Sequence, residues 1–165
     1  MAKNKYDNCF MTYGGKQGFP LGRILAEVQD SNAKGSNYYF LHWIMPETDL
    51  TADGFKVGHP PHIHKAAELL FHIGSDPKNP LDLGAEIEFT IGEEREKHVI
   101  DKTCVVYIPA GVVHAPWKPV KITRPFLFLQ VNQELTHTQK FFPELVPVEL
   151  RKYVDWTTWE EKGFQ

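Results

Sequence analysis

Residues 85–91 read AEIEFTI, with apolar and polar residues alternating strictly. Successive side chains on a strand point to opposite faces, so this run has one buried and one wet face and belongs in a half-exposed sheet. Other short runs rich in aromatic and β-branched residues lie at 23–28, 38–45, 63–64, 68–73, 98–100, 105–108 and 125–131, with turn residues between them. With 12 prolines and 12 glycines, the chain is interrupted often. Seven or more short strands of this kind predict an all-β sandwich or barrel. Near the C-terminus the pattern changes. Pro147 can open a short helix through about Val154, and Thr157 with Glu160 fits a capping box before a stop at Gly163.

A length of 165 residues fits one domain, 1–165. Its 18 lysines and arginines are outnumbered by 21 aspartates and glutamates, and the net charge is −3. No basic surplus is available to neutralise phosphates, which argues against a nucleic-acid partner. No apolar run approaches the roughly 18 residues of a membrane span, and the first residues lack the apolar stretch of an export signal. A cytoplasmic protein without a membrane partner is expected. Cys9 and Cys104 are too few for a disulfide scaffold and are expected as reduced thiols.

The 8 histidines supply the chemistry. In GHPPHIHKAAE, residues 58–68, His62 and His64 stand two apart and so face the same side of a strand. Glu68, across a tight turn, can return a carboxylate to the same point. A second segment, TCVVYIPAGVVHAPW, has a strand, a Pro-Ala-Gly turn and then His114. Imidazole and carboxylate together suit a first-row divalent metal. Three histidines and a glutamate leave coordination positions open, as a catalytic site requires and a closed structural site does not.

These two segments resemble the two motifs of the cupin superfamily. His62, His64 and Glu68 match the first, and Pro109, Gly111 and His114 match the second. Lys56 stands where the first motif begins with glycine, Thr103 where the second does, and Lys118 at its usual asparagine. About ten extra residues lie between Gly74 and Gly84; a rim or dimer-contact loop is the expectation there. The resemblance covers 38–131, leaving an N-terminal arm, 1–37, and a C-terminal extension, 132–165. It implies a double-stranded β-helix, or jelly roll, pairing as a homodimer, with His62, His64, Glu68 and His114 holding Fe(II) by preference, or Mn(II), Ni(II) or Zn(II). It also implies a dioxygenase-like oxidoreductase acting on a small oxygenated substrate, and the aromatic residues near the site favour an apolar or aromatic one over a sugar phosphate. A non-redox isomerase, lyase or hydrolase and a non-catalytic ligand-binding domain are the alternatives.

Around this centre, Glu68 is a candidate base. His72 shares its strand face and is either a proton-transfer group or a core histidine. His42 lies in core or pocket wall, and His59 is expected at the rim. Phe40, Tyr107, Trp117, Phe126 and Phe128 either line the pocket or fill the barrel. Gln130 or Arg124 can orient a polar substrate group, with Arg124 equally placed for the surface. His98 and His137 have no assigned role.

Overall fold

A computed structural model describes residues 9–11, 16–17 and 22–164. The chain forms β1 (Lys16–Gln17), β2 (Gly22–Val28), β3 (Tyr38–Ile44), β4 (His62–Ile63), β5 (Glu68–Gly74) and β6 (Asp82–Ile91). It continues through β7 (Glu96–Lys102), β8 (Cys104–Ile108), β9 (His114–Ile122), β10 (Phe126–Asn132) and β11 (Lys140–Phe141). These make two antiparallel sheets, a six-stranded one ordered β1-β2-β3-β10-β5-β8 and a five-stranded one ordered β11-β4-β9-β6-β7. The predicted all-β jelly roll is the observed architecture.

Alternation sets the faces. On β6, Ala85, Ile87 and Phe89 are buried, and they meet Ile44, Leu70, Ile108, Trp117, Phe126 and Phe128 from the facing sheet and the adjacent strand. Register fixes the rows across the larger sheet: Tyr38, Asn132 and Glu68 in one, His42, Phe128 and His72 in another, all on the inward face.

The loop between Gly74 and Gly84 carries the chain from one sheet to the other. Asp76 organises it, its carboxylate accepting from the Lys78 amide at 2.9 Å, while the Asp82 carboxylate pairs with Arg124 at 2.6 Å. Gly84 has a φ of 73°, and a Cβ there would lie 2.9 Å from the Arg124 Cβ, so glycine is required on both counts. Arg124 therefore anchors the loop on the outside and faces no substrate pocket.

The expected helix at 147–154 is absent, as is the last helical turn after Thr157. Only single 3-10 turns form, at Pro143–Leu145 and Arg151–Tyr153. Arg151 explains the first: its guanidinium donates to the carbonyls of Val146 at 2.8 Å and Glu144 at 3.1 Å. Thr157 turns its hydroxyl to Asp155 at 2.6 Å, an Asp-initiated turn that competes with helix capping.

Candidate metal centre

His62 lies on β4 and His64 just beyond it; Glu68 opens β5 and His114 opens β9. His62 and His114 are direct cross-strand partners. The ligating atoms of His62, His64, Glu68 and His114 all fall within 4.8 Å of one another, and each of these residues is buried. His62 and His64 bring their Nε2 atoms to 3.1 Å; Glu68 brings Oε1 to 3.3 Å from Nε2 of His64 and Oε2 to 3.0 Å from Nε2 of His114.

The other ring nitrogens decide what this cluster fits. Nδ1 of His62 reaches the carbonyl oxygen of Pro60 at 2.8 Å, Nδ1 of His114 reaches that of Val112 at 3.0 Å, and Nδ1 of His64 reaches that of Thr138. A carbonyl only accepts, so each Nδ1 carries the proton and each Nε2 keeps its lone pair. Three lone pairs and a carboxylate thus converge on one buried point, an arrangement that a divalent cation satisfies. Burial, with His114, His59 and His64 alongside, holds His62 well below the ordinary histidine range, in its ligating neutral form. Burial by itself raises the Glu68 carboxyl; without an ion, protons donated from Nε2 of His114 and His64 more than reverse that and keep it below the usual carboxylate range, a place that a bound cation takes over.

Behind the ligands, Gln130 donates to Oε1 of Glu68 at 2.7 Å and Asn132 donates to the same oxygen at 3.2 Å. The C-terminal extension completes the support. Thr138, whose carbonyl holds His64, is tied through its hydroxyl to Glu134 at 2.8 Å, and β11 pairs with β4 alongside His62. His137 packs against His64 with the rings tilted and their centroids 4.9 Å apart, and its Nδ1 lies 3.2 Å from Oδ1 of Asn132. None of these contributions from 132–165 was read from the sequence. His137 and Gln139 do stand two apart, but nothing local in the chain says that this segment folds back over the barrel.

The centre opens into a cavity of about 290 Å³. Phe40, His42, Leu70, Phe89, Trp117, Phe128 and Gln130 line it, with Tyr38, His59, His137, Gln139 and Trp159 added around them. Exposed Gly54, Thr158 and Lys162 mark the opening. His59 stands outside the ligand group, half-buried, its ring 4.5 Å from that of His62 and 4.4 Å from that of Trp159.

Three candidate pocket residues are placed elsewhere. Tyr107 is 58% exposed on the outer face of β8, because inward-facing Val106 and Ile108 take the opposite parity. Phe126 is fully buried in the core, stacked on His72 at 6.3 Å. His72 is itself fully buried and is absent from the cavity wall; Trp117 stands between, donating its indole N–H to Nε2 of His72 at 2.9 Å. Burial brings His72 down to about 4, so it is neutral near pH 7, with Nε2 held by the indole and the ring packed in the core rather than facing the cavity.

No protein-family model matches this chain, and no curated protein matches it. Solved structures do. An oxalate oxidase, in complex with the substrate analogue glycolate, aligns with a TM-score of 0.51 and 18% identity over 83% of this chain and 65% of its own. The Lactobacillus farciminis oxalate decarboxylase aligns with a TM-score of 0.50 and 12% identity over 81% of this chain and 36% of its own. The chain has the cupin fold. It spans about a third of the length of the oxalate decarboxylases and under two thirds of the oxalate oxidase, and at these identities the likeness is one of fold. Among the described residues, no helix is long and apolar enough to cross a membrane.

Proposed function

We propose that this cupin-fold chain is a metal-dependent enzyme, a dioxygenase-like oxidoreductase acting on a small apolar or aromatic oxygenated molecule. The observation that carries the reading is the convergence of three Nε2 lone pairs and the Glu68 carboxylate at one end of a cavity whose remaining walls are mostly aromatic. Fe(II) or Mn(II) suits this ligand set and the redox reading; Ni(II) and Zn(II) fit the same donors.

A bound ion of this kind supplies Lewis acidity and, for iron or manganese, one-electron chemistry beside the substrate. The chain's own residues do the rest. His62, His64 and His114, locked through Nδ1, hold their lone pairs in place without reorganisation. Phe40, Leu70, Phe89 and Phe128 exclude water and receive the apolar body. Glu68 is the one carboxylate among the described cavity-lining residues, so a proton leaving a substrate hydroxyl goes to one of its oxygens. Gln130 and Asn132 hold Oε1 meanwhile, leaving Oε2 the freer of the two.

Oxalate itself suits this cavity poorly. It is a two-carbon dianion, whereas the described lining here contains one lysine, no arginine and a wall of apolar rings. The test is a panel of phenols, diketones and thiols offered to Fe(II)- and Mn(II)-loaded protein in an oxygen electrode. Oxygen uptake dependent on metal and on His114 supports the proposal. Turnover of the same compounds under anoxic conditions moves the reading to non-redox isomerase, lyase or hydrolase chemistry, and tight binding without product in either atmosphere moves it to a ligand-binding domain.

The partner best suited to the outer face of the larger sheet is a second copy of this chain. Three cross-strand rows there hold only aliphatic and aromatic side chains: Trp43–Leu127–Ile73, Leu41–Leu129–Phe71–Val105 and Tyr39–Val131–Leu69–Tyr107. Tyr107, Val105 and Ile73 remain exposed at 58%, 49% and 39%. An apolar face repeated on each copy can meet itself about a two-fold axis, as a homodimer requires.

A further inference from the structure

The cavity reaches a histidine to which no described residue gives a hydrogen bond. His42 projects inward from β3, lines the cavity and is 5% exposed, and neither its Nδ1 nor its Nε2 has a partner among the described residues. Its ring contacts are apolar, Phe40 at 4.8 Å and Phe128 at 5.2 Å between centroids. The other buried histidines of the barrel each have a ring nitrogen bonded: His62, His64 and His114 to carbonyls, His72 to the Trp117 indole. A buried polar group without a partner destabilises a fold, and such groups persist where something from outside supplies the missing bond.

Its position says what that something reaches from. His42 sits in the row with Phe128 and His72, while Glu68 sits in the row with Asn132 and Tyr38. Four positions separate the rows along β3, from Tyr38 to His42, which is about 13 Å of strand. Phe40, Leu70 and Gln130 occupy the row between. The cavity volume, about 290 Å³, is nearly twice the ~150 Å³ that encloses a benzene molecule, so a single ring with a short side chain fits. At the other end, a divalent ion with three neutral imidazoles and one carboxylate keeps one net positive charge, which a monoanion balances. Among the described lining residues the remaining formal cation is Lys162, exposed at the opening.

We propose that His42 is the recognition group for the far end of the substrate, and that the substrate is a rod-like monoanion with an anionic oxygen group at the end where His62, His64, Glu68 and His114 would hold the cation, an aromatic body and a distal hydroxyl paired with His42. The anionic end rests on the metal-enzyme reading above; the hydroxyl end rests on His42. A neutral imidazole has one N–H and one lone pair, and a hydroxyl can meet either. The terminal torsion of a histidine is broad and roughly two-fold, so a turn of the ring presents a nitrogen to a molecule at the cavity floor.

Calorimetric titration of the Mn(II)-loaded full chain with trans-4-hydroxycinnamate and with cinnamate, which differ only by the distal hydroxyl, tests this. The hydroxylated compound binds the parent about tenfold more tightly, the worth of one well-made buried hydrogen bond. In His42→Phe that preference disappears, cinnamate binding is kept and the thermal midpoint stays at or above the parent's; in His42→Gln part of the preference returns. A preference that survives His42→Phe overturns the assignment, as does failure of both compounds to bind, or equal binding of the two because a buried water already serves His42. The metal-enzyme reading fails separately, by elemental analysis finding no ion that depends on His62 and His114.

Discussion

Gln130 donates its side-chain amide to Oε1 of Glu68 at 2.7 Å, and through the same nitrogen to Oδ1 of Asn132 at 2.9 Å. Both residues lie on β10, on the same inward face, and both lean on the one carboxylate of the centre. A ligating carboxylate without its outer partners must be ordered by the ion alone. Replacing Gln130 with leucine is therefore expected to weaken metal binding about 10–100-fold while leaving the fold intact. Competition with a coloured chelator measures this; unchanged affinity would show that Asn132 suffices.

The ligands themselves should behave as a set. His62→Ala and His114→Ala are each expected to lose stoichiometric metal, read by elemental analysis of the folded variants. Chelation of the parent should also lower its melting temperature, since an ion at 100 times its Kd stabilises the folded state by about 2.7 kcal/mol. For a chain of this size each kcal/mol is worth about 2–4 °C, so a fall of roughly 5–11 °C is expected by calorimetry. Variants that keep the parent's metal content place the ion elsewhere.

What the sequence made legible follows from period two. His62 and His64 share a face because they stand two apart, and the Pro-Ala-Gly turn before His114 brings the chain back to pair it with His62. Tyr107 failed the same reasoning because β8 reads CVVYI, apolar on both faces, so alternation cannot say which residues point inward. Phe126 has the inward parity of Phe128, yet it lies deeper in the barrel, packed on His72 away from the cavity. His137, Thr138, Gln139 and Trp159 reach the site by a tertiary fold-back of the extension, pinned by the Gln139–Lys162 bridge, and no local pattern encodes that. The 3-10 turns near 147–154 were likewise decided by Arg151 bonding to carbonyls several residues back.

Stability should fall in mild acid through groups outside the ligand set. Burial brings both His42 and His72 from the ordinary histidine value to about 4. Between about 6.5 and about 4 the unfolded chain binds protons that the folded chain refuses, so stability is full above the upper limit and is lost as pH falls toward the lower. Each imidazole should account for about 1–2 kcal/mol between pH 7 and pH 5. Urea unfolding of metal-free protein at those two values measures the slope. His42→Phe should flatten it by one histidine's share, and an unchanged slope would mean that His42 is already protonated or reached by water in the folded state.

The outer face of the larger sheet gives the last expectation. Tyr107 and Val105 project from β8, the edge strand of that sheet, at the border of three apolar rows that extend across β5, β10 and β3. A standard stable interface removes about 800 Å² from each partner, an area that several adjoining rows of large side chains can supply. The changes Tyr107→Glu and Val105→Glu put four like charges into a two-fold contact with no partner built for them, and desolvating them outweighs what the apolar neighbours gain. Light scattering at micromolar concentration should then give twice the chain mass for the parent and the single chain mass for the double variant, with metal content the same in both because neither residue touches the centre. A parent that scatters as a monomer removes the second copy from this face.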